Sequence, residues 1–348
     1  MRQAIILLFL FGFVLPAMAS KPMTVDQVEQ LLAKLHDKPD AKVARELEDL
    51  QLSERVSPAR LARWEAQFPG SHAQQELVKL ADLSAFLDPP ASDVIPDPAP
   101  DQDTQRHMLW TAEQYLGSPM SHLPDFIVTR ATTHFAAASS TKSNSADGGA
   151  KPLQWTGAFS QAVTYDNGRE VPSEAAGTQD GEPASGLVIH GEFGPILSQL
   201  LGDALESDAR FLRWEQGPTD PAAVFHYAVP EEASHFAVDI TAGSQIRTIH
   251  PAYQGEIEID PETGAVLRLT EIADIPPPHE AQRAAIEVDY APVTIGDRIV
   301  ICPVKGIALS RIPVPGKGAA NGSGGAQDEI VWPLQTHLND VTFSHYHK

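Results

Sequence analysis

Cysteine is nearly absent from this chain: Cys302 is the only one in 348 residues. No intramolecular disulfide can form, so stability must come from a packed core and not from cross-links. The residue directly after the first nineteen is Ser20 and not a cysteine, so the usual bacterial lipid anchor is not expected. Positive charge is scarce. Lys and Arg number 25 against 46 Asp and Glu, for a formal net charge of −21 at pH 7. Such a surface repels nucleic-acid phosphates and anionic lipid headgroups. Past residue 20 no apolar run approaches the ~20 residues that a membrane-spanning helix needs. Catalytic signatures are missing as well. There is no Gly-x-Ser-x-Gly elbow, no P-loop and no dinucleotide fingerprint, and His279-Glu280 lacks the second histidine of a zinc-protease helix. Hydrophobic residues still make up 42% of the chain, enough for a core and too many for global disorder.

The first nineteen residues carry an address. Arg2 supplies a positive start, Ala4 to Leu15 are nearly all apolar, and Ala17-Met18-Ala19 forms a small-x-small cleavage site before Ser20. This layout predicts a secretory signal peptide over 1–19 and a periplasmic or secreted mature protein. Losing Arg2 moves the net charge from −21 to −22.

Residues 20–88 read as a small helical bundle. Thr24 and Gln27 form a capping box, with Met23 and Val28 as a hydrophobic staple. Val28, Leu31, Leu32 and Leu35 then share one helical stripe. A second helix starts near Asp40, a third at Ser57-Pro58, and a fourth at Ser71 with Gln74 as its capping partner. Residues 89–103 hold five prolines and four aspartates and read as a linker or extended strap. A fifth helix is predicted near 104–116.

From Asp125 the period changes from helical to alternating. Strands are predicted over 126–135, 153–165, 210–216, 223–229 and 235–240, with one helix over 193–205. Asp166-Asn167-Gly168 is a hairpin turn signal. Residues 254–311 form the clearest meander. Ile257 and Ile259 alternate with Glu256 and Glu258, and Ile286, Val288 and Tyr290 alternate with Glu287 and Asp289. That pattern predicts one buried face and one face in water. Asp260-Pro261-Glu262-Thr263-Gly264 is a tight turn, and a last strand runs over 338–346. Ser139–Lys151, 172–186 and 313–327 are polar loops.

Several blocks resemble uncharacterised secreted proteins of soil bacteria: Gly191 to Leu197, Tyr253 to Ile257, Ile259-Asp260-Pro261 with Thr263-Gly264, and Ile301 to Lys305. That resemblance implies no activity. A topology-level resemblance, over 125–346, is to periplasmic lipoprotein carriers and related half-barrels. It rests on an Asp-Pro-x-Thr-Gly turn in a late meander after a central helix. It implies a sheet curled around helices that holds an acyl chain.

Candidate chemistry is sparse. Trp155, Phe159, Trp214, Phe225 and Tyr227 fall in strands and are candidates to line an apolar cavity, the alternative being ordinary core. His345 and His347 lie two apart near the C-terminus and could meet one metal, the alternative being solvated histidines. Ser139-Ser140-Thr141-Lys142 matches Ser-x-x-Lys without the helix that motif requires. Asn321-Gly322-Ser323 is a formal glycosylation sequon. Glu256 with Glu258 reads as a solvated pair, and Cys302 as a small buried hydrophobe.

These features predict an α+β protein. A helical bundle precedes a large, curved, antiparallel, half-barrel-like sheet over 104–348 with one or two packed helices. The function they favour is non-catalytic: an extracytoplasmic protein holding an apolar small molecule or a partner polypeptide on the concave sheet face. The alternative is an envelope interaction or structural protein without a cavity, with a secreted hydrolase third. No cofactor and no nucleic-acid partner are called for.

Overall fold

A computed structural model describes residues 21–117, 123–137, 152–171, 177–207, 209–217, 220–242, 245–275, 283–313 and 334–348. The predicted signal peptide over 1–19, Ser139–Lys142, His279-Glu280, the glycine run 316–325 and the Asn321 sequon lie outside these residues. In chain order the elements are α1 (Val25–Leu35), α2 (Asp40–Leu47), α3 (Pro58–Gln67), α4 (Ser71–Ser84), β1 (Val94–Ile95), α5 (Gln102–Gly117), β2 (Phe126–Ala137), β3 (Leu153–Asp166), β4 (Arg169–Val171), β5 (Thr178–Gly181), α6 (Pro195–Glu206), β6 (Arg210–Gln216), β7 (Pro221–Val229), β8 (Val238–Ala242), β9 (Gln245–Ile249), β10 (Tyr253–Ile259), β11 (Val266–Asp274), β12 (Arg283–Ile295), β13 (Arg298–Pro313) and β14 (Leu334–His347).

Thr24 and Gln27 close the capping box that their spacing predicts. The start of α4 departs from expectation. Its cap is Gly70, which offers no side chain. Asp40, at the start of α2, reaches across instead and accepts from the N–H groups of His72 (3.2 Å) and Ala73 (2.8 Å). A cap borrowed from another helix satisfies the same orphan donors as a local one. The Ala73 N–H is the main reason that the Asp40 carboxyl titrates below its usual range. A side chain on Gly70 would overlap Asp40, so glycine keeps that space open. Val28, Leu32, Leu47, Trp64 and Leu77 fill the core of the bundle.

The Pro/Asp-rich segment is tied down. β1 pairs antiparallel with β6, and the Pro98 carbonyl accepts from Trp214 Nε1 at 3.1 Å. The main sheet runs β1-β6-β7-β10-β11-β12-β13-β14-β2-β3-β4, with β5 beside β3, and every pairing is antiparallel. Its ends, β1 and β4, are not paired to each other, so the sheet is open. β8 and β9 form a separate pair. The β3–β4 turn has Asn167 at φ 49° and Gly168 at φ 79°, the two positive angles a type I′ hairpin needs.

One sheet face lies under α5 and α6. Ile196, Leu197, Leu200 and Leu201 of α6 share a core with Phe225, Tyr227, Ile257, Leu269, Ile286 and Val288. Each such side chain contributes roughly 1.5–3 kcal/mol on leaving water. The other face corrects the expectation of a wet sheet surface. Glu258 and Glu287 are buried, and Asp289 is partly so. The bundle covers this face, with Ala85 packing against Phe135, Leu153, Ile307 and Leu338. Alternation identified the two faces correctly but carried no information about a second layer on the polar one.

Candidate ligand site

The joint between bundle and sheet is ionic. Arg268, on β11, donates to Glu287 Oε2 (2.8 Å) and to the Ala85 carbonyl beyond α4 (2.7 Å). Arg213 holds Glu256 in a two-pronged grip at 2.8 and 2.7 Å, and Arg55 pairs with Glu215. Lys305 meets Asp82 at 2.5 Å and Asp340 at 3.4 Å. Acids outnumber bases here: Asp82, Glu215, Glu256, Glu258, Glu287, Asp289 and Asp340 surround Arg55, Arg213, Arg268 and Lys305. Protonation moderates the excess. Burial pushes Glu258 up to about 7, with Glu215 adding to the shift, and raises Asp82 and Asp289 as well. Burial alone would lower Lys305. Asp82, Asp340 and Asp289 outweigh it and keep the ammonium charged.

Beside this joint lies a groove of about 340 Å³. Phe86, Leu87 and Asp88, which follow α4, make one wall. Leu212 of β6, His226 of β7, Gln254 of β10 and Ile272 of β11 make the other. Leu87 and Leu212 are 37% and 47% exposed at its mouth. Arg268, Glu256 and Thr270 also line it, already engaged with one another or with neighbours. The groove thus offers Phe86, Leu87, Leu212 and Ile272 as its apolar lining, with Asp88, His226 and Gln254 as exposed polar groups. A larger cleft of about 620 Å³ runs along α1 past Lys21, Gln27, Gln30 and Lys34. Exposed, flexible Lys and Gln side chains supply much of that lining, so it holds fewer fixed groups than the sheet groove.

The structure separates the five aromatic candidates into two sets. Phe225 and Tyr227 are fully buried, and Trp214 packs against the same core. Phe211 bridges Trp214 and Phe225 through edge-on contacts at 5.1 and 5.8 Å, and Tyr227 meets Tyr253 at 5.8 Å. Trp155, 40% exposed, and the half-buried Phe159 lie on β3, with six strands between β3 and β7 in the sheet order. The β14–β2 register is irregular between Ser344 and His347, and His345 within that stretch takes φ 58°. The regular alternation that would put both rings on one face is interrupted there. His345 Nδ1 contacts Ser344 Oγ (2.9 Å), and His347 Nδ1 donates to the His345 carbonyl (2.7 Å). Among the described residues no group of three or more His, Cys, Asp or Glu is arranged to hold a metal ion. Cys302 is buried, and burial pushes its thiol up to about 12.

No sequence motif marked the groove, because its lining comes from four strands and a post-helical segment. Leu212, an exposed apolar residue in an edge-proximal strand, was the signal available.

No protein-family model and no curated protein matches the chain, so nothing here supports the resemblance to soil-bacterial secreted proteins. Among solved structures, a LolA superfamily protein from Nitrosomonas europaea aligns with 69% of this chain and 91% of its own. The aligned residues are 12% identical, with a TM-score of 0.27. An overlap that loose carries no argument about ligand or activity. The open α+β sheet stands on its own pairings. No described helix is long and apolar enough to cross a membrane.

Proposed function

We propose that this chain is an extracytoplasmic binding protein whose groove between Phe86–Asp88 and strands β6, β7, β10 and β11 takes a small single-chain amphiphile. The observation that carries this reading is that exposed Leu87 and Leu212 both line a concavity that also holds polar Asp88, His226 and Gln254. Its volume, about 340 Å³, sits at the low end of the roughly 300–1,000 Å³ usual for ligand sites. That size suits one alkyl chain and disfavours a multi-acylated lipid. The signal-like residues 1–19 support the extracytoplasmic address.

Native mass spectrometry of residues 20–348 with dodecanoate and, separately, dodecylamine tests the reading. One equivalent should bind the wild type, and Leu212→Glu should abolish the adduct. Leu212 is exposed, so the variant retains its fold. No adduct with either probe, or equal uptake by the variant, would move the assignment to an envelope interaction protein without a ligand cavity.

A further inference from the structure

A second polar cluster sits on the α6-facing side of the sheet, away from the groove. His134 of β2 and His337 of β14 stack with ring centroids 5.6 Å apart, and both are almost fully buried. Asn339, two residues along β14 from His337, is buried beside them. Ser185, exposed in the segment after β5, lies over the pair. Its Oγ is 2.9 Å from His134 Nε2 and 2.9 Å from His337 Nδ1.

The proton positions follow from Asn339. Its Nδ2 donates to the carbonyls of Ser185 (3.1 Å) and Leu187 (2.8 Å). Carbonyls only accept, so the amide orientation is fixed and Oδ1 faces His134 Nδ1 at 2.5 Å. His134 therefore carries its proton on Nδ1 and presents a lone pair at Nε2. The Ser185 hydroxyl donates into that lone pair. With the hydroxyl proton committed, His337 donates from Nδ1 to Oγ and leaves its own Nε2 bare. That nitrogen has no hydrogen-bond partner among the described residues. Both rings are neutral. Burial lowers both, and His134 helps push His337 down to about 4.

Nucleophile, base and orienting amide thus stand in the order and at the atoms that acyl-transfer enzymes use. We propose that Ser185 is a nucleophile for carboxylic esters, with His134 as its general base and Asn339 as a positioning residue. Oγ attacks the ester carbonyl carbon while its proton passes to His134 Nε2. The tetrahedral adduct collapses by breaking the bond to the alcohol oxygen, which leaves with the proton from Nε2. Water, deprotonated by the same nitrogen, then attacks the acyl carbon, and the bond to Oγ breaks as Nε2 returns the proton to Ser185. The sum is ester plus water giving acid plus alcohol, with no change of oxidation state. His337 Nδ1–H keeps the Oγ lone pair oriented. A neutral amide supports the transient imidazolium less than a carboxylate would, so the site favours esters of acidic alcohols, such as aryl esters, over amides.

The test is labelling of the mature protein with an alkyl fluorophosphonate, followed by intact mass and peptide mapping, together with hydrolysis of p-nitrophenyl acetate. A single adduct on Ser185 is expected, absent in Ser185→Ala, with circular dichroism and a thermal melt checking that the variant is folded. Hydrolysis should fall in that variant to the buffer rate. His134→Gln should slow turnover by about a hundredfold or more, the usual range for losing a general base. Asn339→Ser should lower kcat with KM held, and the ring ¹⁵N shifts of His134 should lose the signature of a fixed Nδ1–H tautomer. No adduct on the wild type, or adduct and hydrolysis unchanged in Ser185→Ala, overturns the proposal.

Discussion

Lys305 and Asp82 meet at 2.5 Å across the joint between the sheet and the helical bundle, with Asp82 almost wholly withdrawn from water. Lys305→Met leaves that carboxylate and its neighbour Asp340 without their cation. Breaking a buried pair from one side costs about 3–5 kcal/mol. Urea unfolding at pH 8 should show a loss of that order. Burial already raises the Asp82 pKa, so the loss should shrink at pH 5, where the group takes up a proton. A loss under about 1 kcal/mol at pH 8 would mean that the joint does not hold the layers together.

Glu271 lies on the α6-facing side of β11, fully buried, and neither carboxylate oxygen has a hydrogen-bond partner among the described residues. Burial raises its pKa from 4.5 to about 8, with the charge of Asp203 adding to the effect. The folded state therefore keeps a proton that the unfolded chain has already released. This group's contribution to stability falls as pH rises from about 4.5 through 8. Glu271→Gln should match the wild type at pH 5 and exceed it at pH 9. The gain should be a few kcal/mol at most, since each tenfold change in proton affinity is worth roughly 1.4 kcal/mol. Parallel pH profiles for the two proteins would refute the assignment.

Gly255, on β10, faces Tyr227, whose hydroxyl donates to the Thr270 carbonyl. A Cβ at this position would overlap that carbonyl and crowd the hydroxyl at 2.6 Å. Gly255→Ala should destabilise by about 1–3 kcal/mol, the range for overpacking, or more because backbone must move. Thermal melts measure it, and an unchanged melting temperature would show that β10 and β11 shift at little cost.

Val288 is fully buried beneath α6. Val288→Asp puts an unpaired charge among Leu269, Ile286 and their neighbours and should cost about 3 kcal/mol or more, at the severe end for point changes. Soluble expression with a wild-type melt would contradict the assigned face.

Much of this architecture is legible in the chain because its signals are local. The Thr24–Gln27 box, the turn at Asn167-Gly168 and the alternation at 286–290 each need only a few neighbouring residues. What stayed hidden depends on distant partners. Asp40 caps a helix that begins 31 positions later. The acidic face of β10 and β12 looks solvated in sequence, because nothing local records that Arg268 and Lys305 will meet a helical layer there. His134, Ser185 and Asn339 belong to no spacing pattern: Ser185 is 51 residues from His134 and 154 from Asn339. The pairing of β14 with β2 sets His134 opposite Asn339, and the segment after β5 brings Ser185 onto them.

That pairing also governs the order of assembly. β14 is synthesised after every other strand of the sheet, yet it sits in the interior, between β13 and β2. Until it arrives, β1-β6-β7-β10-β11-β12-β13 and the group β2-β3-β4 with β5 are two separate fragments with raw edges. Open edges invite pairing with other chains, and long-range closure slows folding. The sheet cannot be completed until residues 334–347 are available, so both fragments wait on one late strand.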